Sequence, residues 1–132
     1  MALLRARESV MARFRPLLAA HGMTEHQWRV LRVLAESGPV DATLLSARCS
    51  ILKPSMSLML RTLVRRKLVA RHRDSSDGRR LVLEATPKAK ALIMKLTPQT
   101  NAIYSDLEAE FGQERVDHLL DVLDELARTR VP

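Results

Sequence analysis

The stretch "VARHRDSSDGRRLVLEAT", residues 69–86, places four arginines around a turn. Arg71 and Arg73 precede the turn, and Arg79 and Arg80 follow it. The Asp, Ser and Gly residues between them are sufficient to bend the chain, and the Asp-Gly pair is typical of a β-hairpin. Because guanidinium groups repel each other, four of them at one hairpin indicate that a negatively charged partner binds nearby.

The segments before this hairpin predict four helices. Apolar residues at i, i+3 and i+4 spacing predict a first helix over residues 3–20. Thr24 and Gln27 form the pattern of a capping box at the start of a second helix. Asp41 is a suitable N-cap for a short third helix, and a fourth helix is expected over residues 54–67, with proline in its first turn.

The segments around and after the turn predict a two-stranded hairpin followed by two helices. The strands are expected in "LVARHR" and "RLVLEA"; in the second run, Leu81 and Leu83 alternate with Val82 and Glu84. Thr86 and Pro87 are typical of a helix start, and that fifth helix should reach Glu110 with a kink or break at Pro98. A last amphipathic helix is expected after Gly112. The predicted fold class is therefore mainly α with a small β-hairpin.

The charge of the chain is concentrated in its middle. The 132 residues, most simply a single domain, carry a net charge of +7. Residues 48–80 contain ten Lys and Arg against two Asp and Glu, whereas residues 99–132 have a net charge of −5. An ordinary solvated surface would account for mixed positive and negative charges better than for a block of charges of one sign. The basic block therefore favours a nucleic-acid-binding surface.

Other classes of function have less support in the sequence. The single Cys49 permits no intramolecular disulfide and the histidines show no metal-ligand spacing, so neither a metal nor a cofactor is expected and a reducing cytoplasm is favoured. The sequence contains no phosphate-binding loop and no nucleophile elbow that would indicate an enzyme. It also contains no uncharged apolar segment long enough to indicate a membrane span. A non-specific RNA-binding or architectural protein remains an alternative, but aromatic residues make up only 3% of the chain.

A short helix, a basic helix and a hairpin in this order are typical of a winged helix-turn-helix. The basic helix would enter the major groove and the hairpin would form a wing that inserts arginine into the minor groove. We expect Asp77 to orient the guanidinium group of Arg79. The residues predicted to contact DNA are Lys53, Ser55, Ser57, Arg61, Thr62, Arg65, Lys67, Arg73, Asp77 and Arg79.

Three segments resemble the MarR family of winged-helix transcription regulators. They are "MTEHQWRVLRVL" (23–34), "ILKPS" (51–55) and "DSSDGRRLVLEATPKAKAL" (74–92). Over residues 6–55 the chain is most similar to the regulators of homoprotocatechuate (aromatic acid) degradation operons. The resemblance implies one domain over residues 1–132, with dimerisation helices in 1–22 and 87–132 and a winged helix-turn-helix in 24–86. A homodimeric repressor on a pseudo-palindromic operator is therefore expected.

The resemblance also implies a small aromatic or phenolic carboxylate as effector. We expect Arg15 to bind the carboxylate, His21 to bind a ring hydroxyl and Trp28 to pack against the ring. The alternative is that Arg15 pairs with an acidic residue of the partner subunit and Trp28 is a core residue. A redox response through Cys49 is a second alternative to an aromatic effector, although a free cysteine is often simply buried.

Overall fold

The computed structural model describes residues 1–130, which form seven helices and one two-stranded antiparallel sheet. The elements are α1 Ala2–Met11, α2 Arg15–Ala19, α3 Glu25–Ser37, α4 Ala42–Cys49, α5 Lys53–Arg65, β1 Val69–Arg73, β2 Leu81–Ala85, α6 Pro87–Phe111 and α7 Gln113–Ala127. The mainly helical class with one hairpin is confirmed. The chain divides into two compact units, residues 1–97 and residues 98–132.

The core of the first unit is centred on α3. This helix packs against α2, α4 and β2, while α5 packs against α4 and β1. Leucine is the most frequent residue in this core, and each fully buried leucine contributes about 1.5–3 kcal/mol through burial of apolar surface. The largest of the fully buried side chains are Leu18, Leu31, Leu34, Leu45, Met56, Leu63, Leu68, Leu83 and Leu96.

The predicted helix starts are confirmed by their side-chain caps. The Thr24 hydroxyl accepts from the Gln27 amide at 3.1 Å, and the Gln27 side chain accepts from the Thr24 amide at 3.0 Å, which completes the capping box. Asp41 accepts from the Leu44 amide at 2.8 Å at the start of α4. These bonds satisfy N–H groups that have no partner within their own helix.

The predicted single helix over residues 3–20 is wrong, because the helix is interrupted between Met11 and Arg15. The amides of Arg13 and Phe14 bond to the carbonyls three residues earlier, at 3.1 and 3.0 Å, instead of four residues earlier. Pro16 has no N–H to offer the preceding turn, and it restricts the residue before it. The interruption leaves Phe14 buried in the first unit.

Of the predicted kink or break at Pro98, the break is not found, since α6 is continuous across this residue. Proline deprives the Met94 carbonyl of its usual donor four residues later. Both Met94 and Pro98 are exposed, so water can hydrate that carbonyl. One residue earlier, the Thr97 hydroxyl donates to the Ile93 carbonyl at 2.6 Å.

In the second unit, α7 has an apolar face without a partner in the described chain. No side chain of α7 is buried. Its large apolar residues Leu119, Leu120, Val122 and Leu126 are between 43% and 55% exposed. Acidic side chains occupy the opposite face, so the helix is amphipathic as predicted.

Candidate nucleic-acid interface and effector site

Helix α5 presents a polar and cationic face to solvent. Met56, Leu60 and Leu63 are buried against the rest of the first unit. The side chains of the other face are exposed, apart from the half-buried Thr62, and those that were predicted to contact nucleic acid are Lys53, Ser55, Ser57, Arg61 and Arg65. The burial of one stripe therefore directs the predicted contact residues outward.

The turn between α4 and α5 fixes how this face is presented. Ser50 ends α4 in the left-handed region, with φ 54°, and the Ile51 amide bonds to the Ser46 carbonyl at 3.1 Å. The Arg29 guanidinium of α3 donates to the Cys49 carbonyl at 3.1 Å. The last turn of α4 is thereby attached to α3, and α5 follows after a three-residue connection.

The first turn of α5 has free amide groups. Leu52 occupies the N-cap position and supplies no side-chain acceptor, and Pro54 has no N–H. Lys53 and Ser55 lie in the same turn and are exposed. The N-terminus of a helix with uncapped amides attracts anions, so this end of α5 suits a phosphate group.

The wing is an antiparallel hairpin in which Val69 pairs with Ala85 and Arg73 with Leu81. The Arg73 guanidinium donates to the Gly78 carbonyl at 3.1 Å and so closes the loop. The side chains of Val82 and Leu83 are both buried, and the backbone of Leu83 also forms an antiparallel bridge with Val40. For this reason β2 lacks a strict alternation of apolar and polar faces.

The predicted role of Asp77 is wrong in one respect. Its carboxylate accepts from the Arg79 backbone amide at 3.1 Å, and within residues 1–130 the Arg79 guanidinium makes no hydrogen bond or ion pair. Asp77 therefore shapes the loop. The exposed Arg79 side chain remains available to an anionic partner.

Arg80, in contrast, is fixed by two carboxylates. It lies 3.2 Å from Asp41, the N-cap of α4, and 3.6 Å from Asp74. Bonds from the Ser76 backbone and hydroxyl, followed by the charge of Arg80, hold the pKa of Asp74 below its ordinary value. The wing is thus attached to the start of α4, which the sequence pattern did not indicate.

Arg15 lies in a cluster of four charged side chains contributed by α1, α2 and α3. It binds both carboxylate oxygens of Glu8 at 2.9 Å and lies 3.4 Å from Glu25. Arg7 lies 3.1 Å from the other oxygen of Glu25. Burial raises the pKa of Glu25, but the hydrogen bonds and charges of Arg7 and then Arg15 outweigh this effect and lower it. Arg15 therefore pairs with two acidic residues of its own chain.

Trp28 and His21 occupy different environments. Trp28 is 8% exposed, and the Arg32 guanidinium lies 5.9 Å from its ring centre. His21 is half-buried, and its Nδ1 lies 3.1 Å from the Leu17 carbonyl. Glu25 is one helical turn from Trp28, so Arg15 and Trp28 lie near the same end of α3. The contact of Arg32 with the Trp28 ring was not predicted, although the spacing of four residues along α3 could have indicated it.

Arg66 connects the end of α5 to the turn between α2 and α3. Its guanidinium donates to the Gly22 carbonyl at 2.6 Å and to the His21 carbonyl at 3.5 Å. Lys88 and Thr86 donate to the Arg66 and Lys67 carbonyls at 2.9 and 2.7 Å. The predictions placed Arg66 only in the basic block, because sequence spacing cannot reveal a contact across 44 residues.

Cys49 is 1% exposed, and burial raises the pKa of its thiol against a smaller opposing effect of Arg29. A buried thiol with a raised pKa reacts slowly with oxidants, because the thiolate is the reactive form. This environment disfavours the redox alternative. In the part of the chain that the structure describes, no cluster of side chains could hold a metal ion, and no helix could cross a membrane.

Comparisons with known proteins agree with this architecture. The model of the MarR family matches residues 21–80. The homoprotocatechuate degradative operon repressor of Escherichia coli is 39% identical over 124 residues, which cover 94% of this chain and 84% of that protein.

Two solved structures are similar over almost the whole chain. NadR in complex with 4-hydroxyphenylacetate has a TM-score of 0.84 at 36% identity and covers 98% of this chain and 92% of its own. The transcriptional repressor CouR, bound to a 23-mer DNA duplex, has a TM-score of 0.87 at 30% identity, with 96% and 90% covered. From its similarity to these proteins and to the family model, the chain belongs to the MarR family of transcription regulators.

Proposed function

We propose that this protein is a transcriptional repressor without enzymatic activity that binds a pseudo-palindromic operator in the cytoplasm as a homodimer. A small aromatic carboxylic acid releases it, and it controls genes for the catabolism of such acids. The observation that supports DNA binding most directly is the exposed cationic face of α5 in a helix-turn-helix. The CouR complex with DNA supports the same assignment.

The proposed dimer accounts for the exposed apolar face of α7. A second copy of the chain would cover Leu119, Leu120 and Leu126, which lack a partner in the described chain. We propose that helices within residues 1–22 and 87–132 form the dimer and that residues 24–86 form the winged unit. Two-fold symmetry would then present two α5 helices to half-sites roughly 34 Å apart, one turn of DNA.

Within the winged unit, we assign base contacts and phosphate contacts to different residues. Arg61, Arg65, Ser55, Ser57 and the half-buried Thr62 lie where α5 would face base edges. Lys53 and Lys67, at the two ends of α5, would contact phosphates. We assign Arg73, Asp77 and Arg79 to the wing, with Arg79 entering the minor groove and Asp77 maintaining the loop.

The experiment that tests DNA binding compares Arg61→Ala with Lys67→Ala on selected operator and random duplex DNA. Loss of Arg61 should weaken the operator complex by about 1–3 kcal/mol and relax specificity at one position, whereas loss of Lys67 should weaken both duplexes evenly. Equal affinity of the parent for operator, random duplex and single strands would favour a non-specific nucleic-acid-binding protein instead.

For the effector we propose a site near Arg15, His21 and Trp28, with Arg32 as a second candidate cation. The complex of NadR with 4-hydroxyphenylacetate supports an acid of this chemical class. Arg15 already binds Glu8 and Glu25, so a ligand carboxylate at Arg15 would have to displace one of them. Within residues 1–130, the only ion pair of Arg32 is with Glu36, at 3.2 Å and on an exposed surface, and Arg32 already lies at the Trp28 ring.

This effector proposal is tested by DNA release. We expect 4-hydroxyphenylacetate to dissociate the DNA complex at concentrations at which its methyl ester has no effect, because the ester lacks the charge. Arg15→Ala should abolish the response and retain DNA affinity; if Arg32→Ala abolishes it instead, the carboxylate is bound by Arg32. Release by the ester at equal concentration would exclude a charged clamp. To induce, the acid must prefer the conformation that does not bind DNA.

A further inference from the structure

Leu58 lies in the middle of the surface that α5 presents to solvent. It is 66% exposed, although leucine is usually a core residue. With 3.6 residues per turn, its side chain points roughly 165° away from the mean direction of the buried Met56, Leu60 and Leu63. The apolar spacing of α5 alone does not explain Leu58, which belongs to neither the core nor the predicted set of polar contacts.

The neighbours of Leu58 on this face are polar and cationic. Ser57 is adjacent, Arg61 lies one turn later and Arg65 two turns later, and all three are exposed. The groove on one side of Leu58 is lined by the polar Ser55 and Thr62 and by the apolar Ile51, Leu52 and Met59; it has a volume of about 560 Å³ and is open to solvent. Isolated exposed leucines on a protein surface need no explanation, but this one lies on the same helical face as Ser57, Arg61 and Arg65, the groups that would bind DNA.

The charge around Leu58 decides which partner suits it. An apolar protein surface would have to desolvate the guanidinium groups of Arg61 and Arg65 without compensation. Duplex DNA offers phosphates and guanine edges to the arginines, and in the major groove it offers one apolar group, the C5-methyl of thymine. We propose that Leu58 is a specificity residue that contacts a thymine methyl group in each half-site, an inference that rests on the proposed DNA binding.

The position of Leu58 also predicts where that thymine lies. Arg61 follows Leu58 by three residues of α5, about 4.5 Å along the helix axis, so the two side chains would contact neighbouring base pairs. If Arg61 binds guanine, the preferred half-site contains a thymine within one or two base pairs of that guanine. Removal of one buried methyl group should weaken binding about fourfold, and removal from both half-sites about 15-fold.

The test is a selection of binding sites from a random duplex library with the full-length protein. We expect the parent to enrich a thymine beside a guanine, and Leu58→Ala to lose preference at the thymine position alone. Leu44→Ala serves as the matched control, because Leu44 is an exposed leucine on α4. It should retain the thymine preference.

A second measurement uses deoxyuridine, which lacks only the methyl group. Replacement of the selected thymines by deoxyuridine should weaken the parent about 15-fold and leave Leu58→Ala nearly unchanged. Enrichment of the same thymine by Leu58→Ala would overturn the Leu58 assignment while leaving the proposed function intact. A change in oligomeric state without a change in base preference would identify Leu58 as a protein contact and overturn it too. If the parent enriches no sequence, both proposals are wrong.

Discussion

Replacement of Arg66 should separate the stability of the winged unit from its affinity for DNA. The Arg66 guanidinium is half-buried, donates to the Gly22 carbonyl at 2.6 Å and to the His21 carbonyl at 3.5 Å, and contacts the Met23 sulfur at 3.6 Å. A hydrogen bond from a charged donor contributes about 1.5–3 kcal/mol. Because Gly22 is exposed, we expect the lower end, about 1.5 kcal/mol, for Arg66→Ala.

The matched control is the neighbouring residue. Arg65 is exposed and makes no contact of this kind within residues 1–130, so Arg65→Ala should change the free energy of unfolding by less than about 0.5 kcal/mol. Since Arg65 lies on the outward face of α5, its loss should instead weaken DNA binding. The two adjacent arginines are thus expected to give opposite results in the two assays.

Stability would be measured by urea denaturation at a fixed protein concentration, because dimerisation adds to the apparent stability. DNA affinity would be measured by fluorescence anisotropy with a labelled operator. If Arg66→Ala has the same midpoint and slope as the parent, the bonds to the α2–α3 turn do not stabilise the fold. A further check is Gly22→Ala, which should also destabilise, because φ is 65° and a Cβ would lie 3.3 Å from Arg66.

The remaining predictions concern the wing, the charged cluster and the dimer. Arg79→Ala should reduce affinity most on operators with A·T-rich flanks, where the narrow groove is most negative, and unchanged binding to such sites would remove Arg79 from the interface. Because folding lowers the pKa of Glu25, its ionised carboxylate stabilises the fold at pH values above the ordinary glutamate pKa. This contribution is lost as the pH falls through the lowered pKa. In acid titrations, the free energy of unfolding of Glu25→Gln should therefore differ from that of the parent at neutral pH and converge with it in acid. A difference that stays constant with pH would contradict this. Removal of residues 116–132 should yield a monomer in sedimentation, and a dimer would place the interface elsewhere.

Local patterns in the sequence were sufficient to determine most of the secondary structure. The capping residues Thr24 and Asp41 and the Asp-Gly pair of the wing act within three residues of themselves, so their effects depend little on the rest of the fold. The basic face of α5 was also predictable, since helical periodicity separates its apolar stripe from its arginines. The interruption before Pro16 was not predicted, and of the kink or break expected at Pro98 the break is absent, because the outcome at a proline depends on what surrounds its turn.

What the sequence could not determine are the contacts between residues far apart in the chain. Three ion pairs or hydrogen bonds exist only after α2, α3, α5 and the wing have packed together. They join Arg80 to Asp41, Arg66 to Gly22, and Arg15 to Glu25. In the sequence, Arg79, Arg80, Arg65 and Arg66 are equivalent positive charges. Tertiary packing gives Arg80 and Arg66 fixed partners within the fold and leaves Arg79 and Arg65 free in the described chain, because only side chains directed at a neighbouring element can reach an acceptor there.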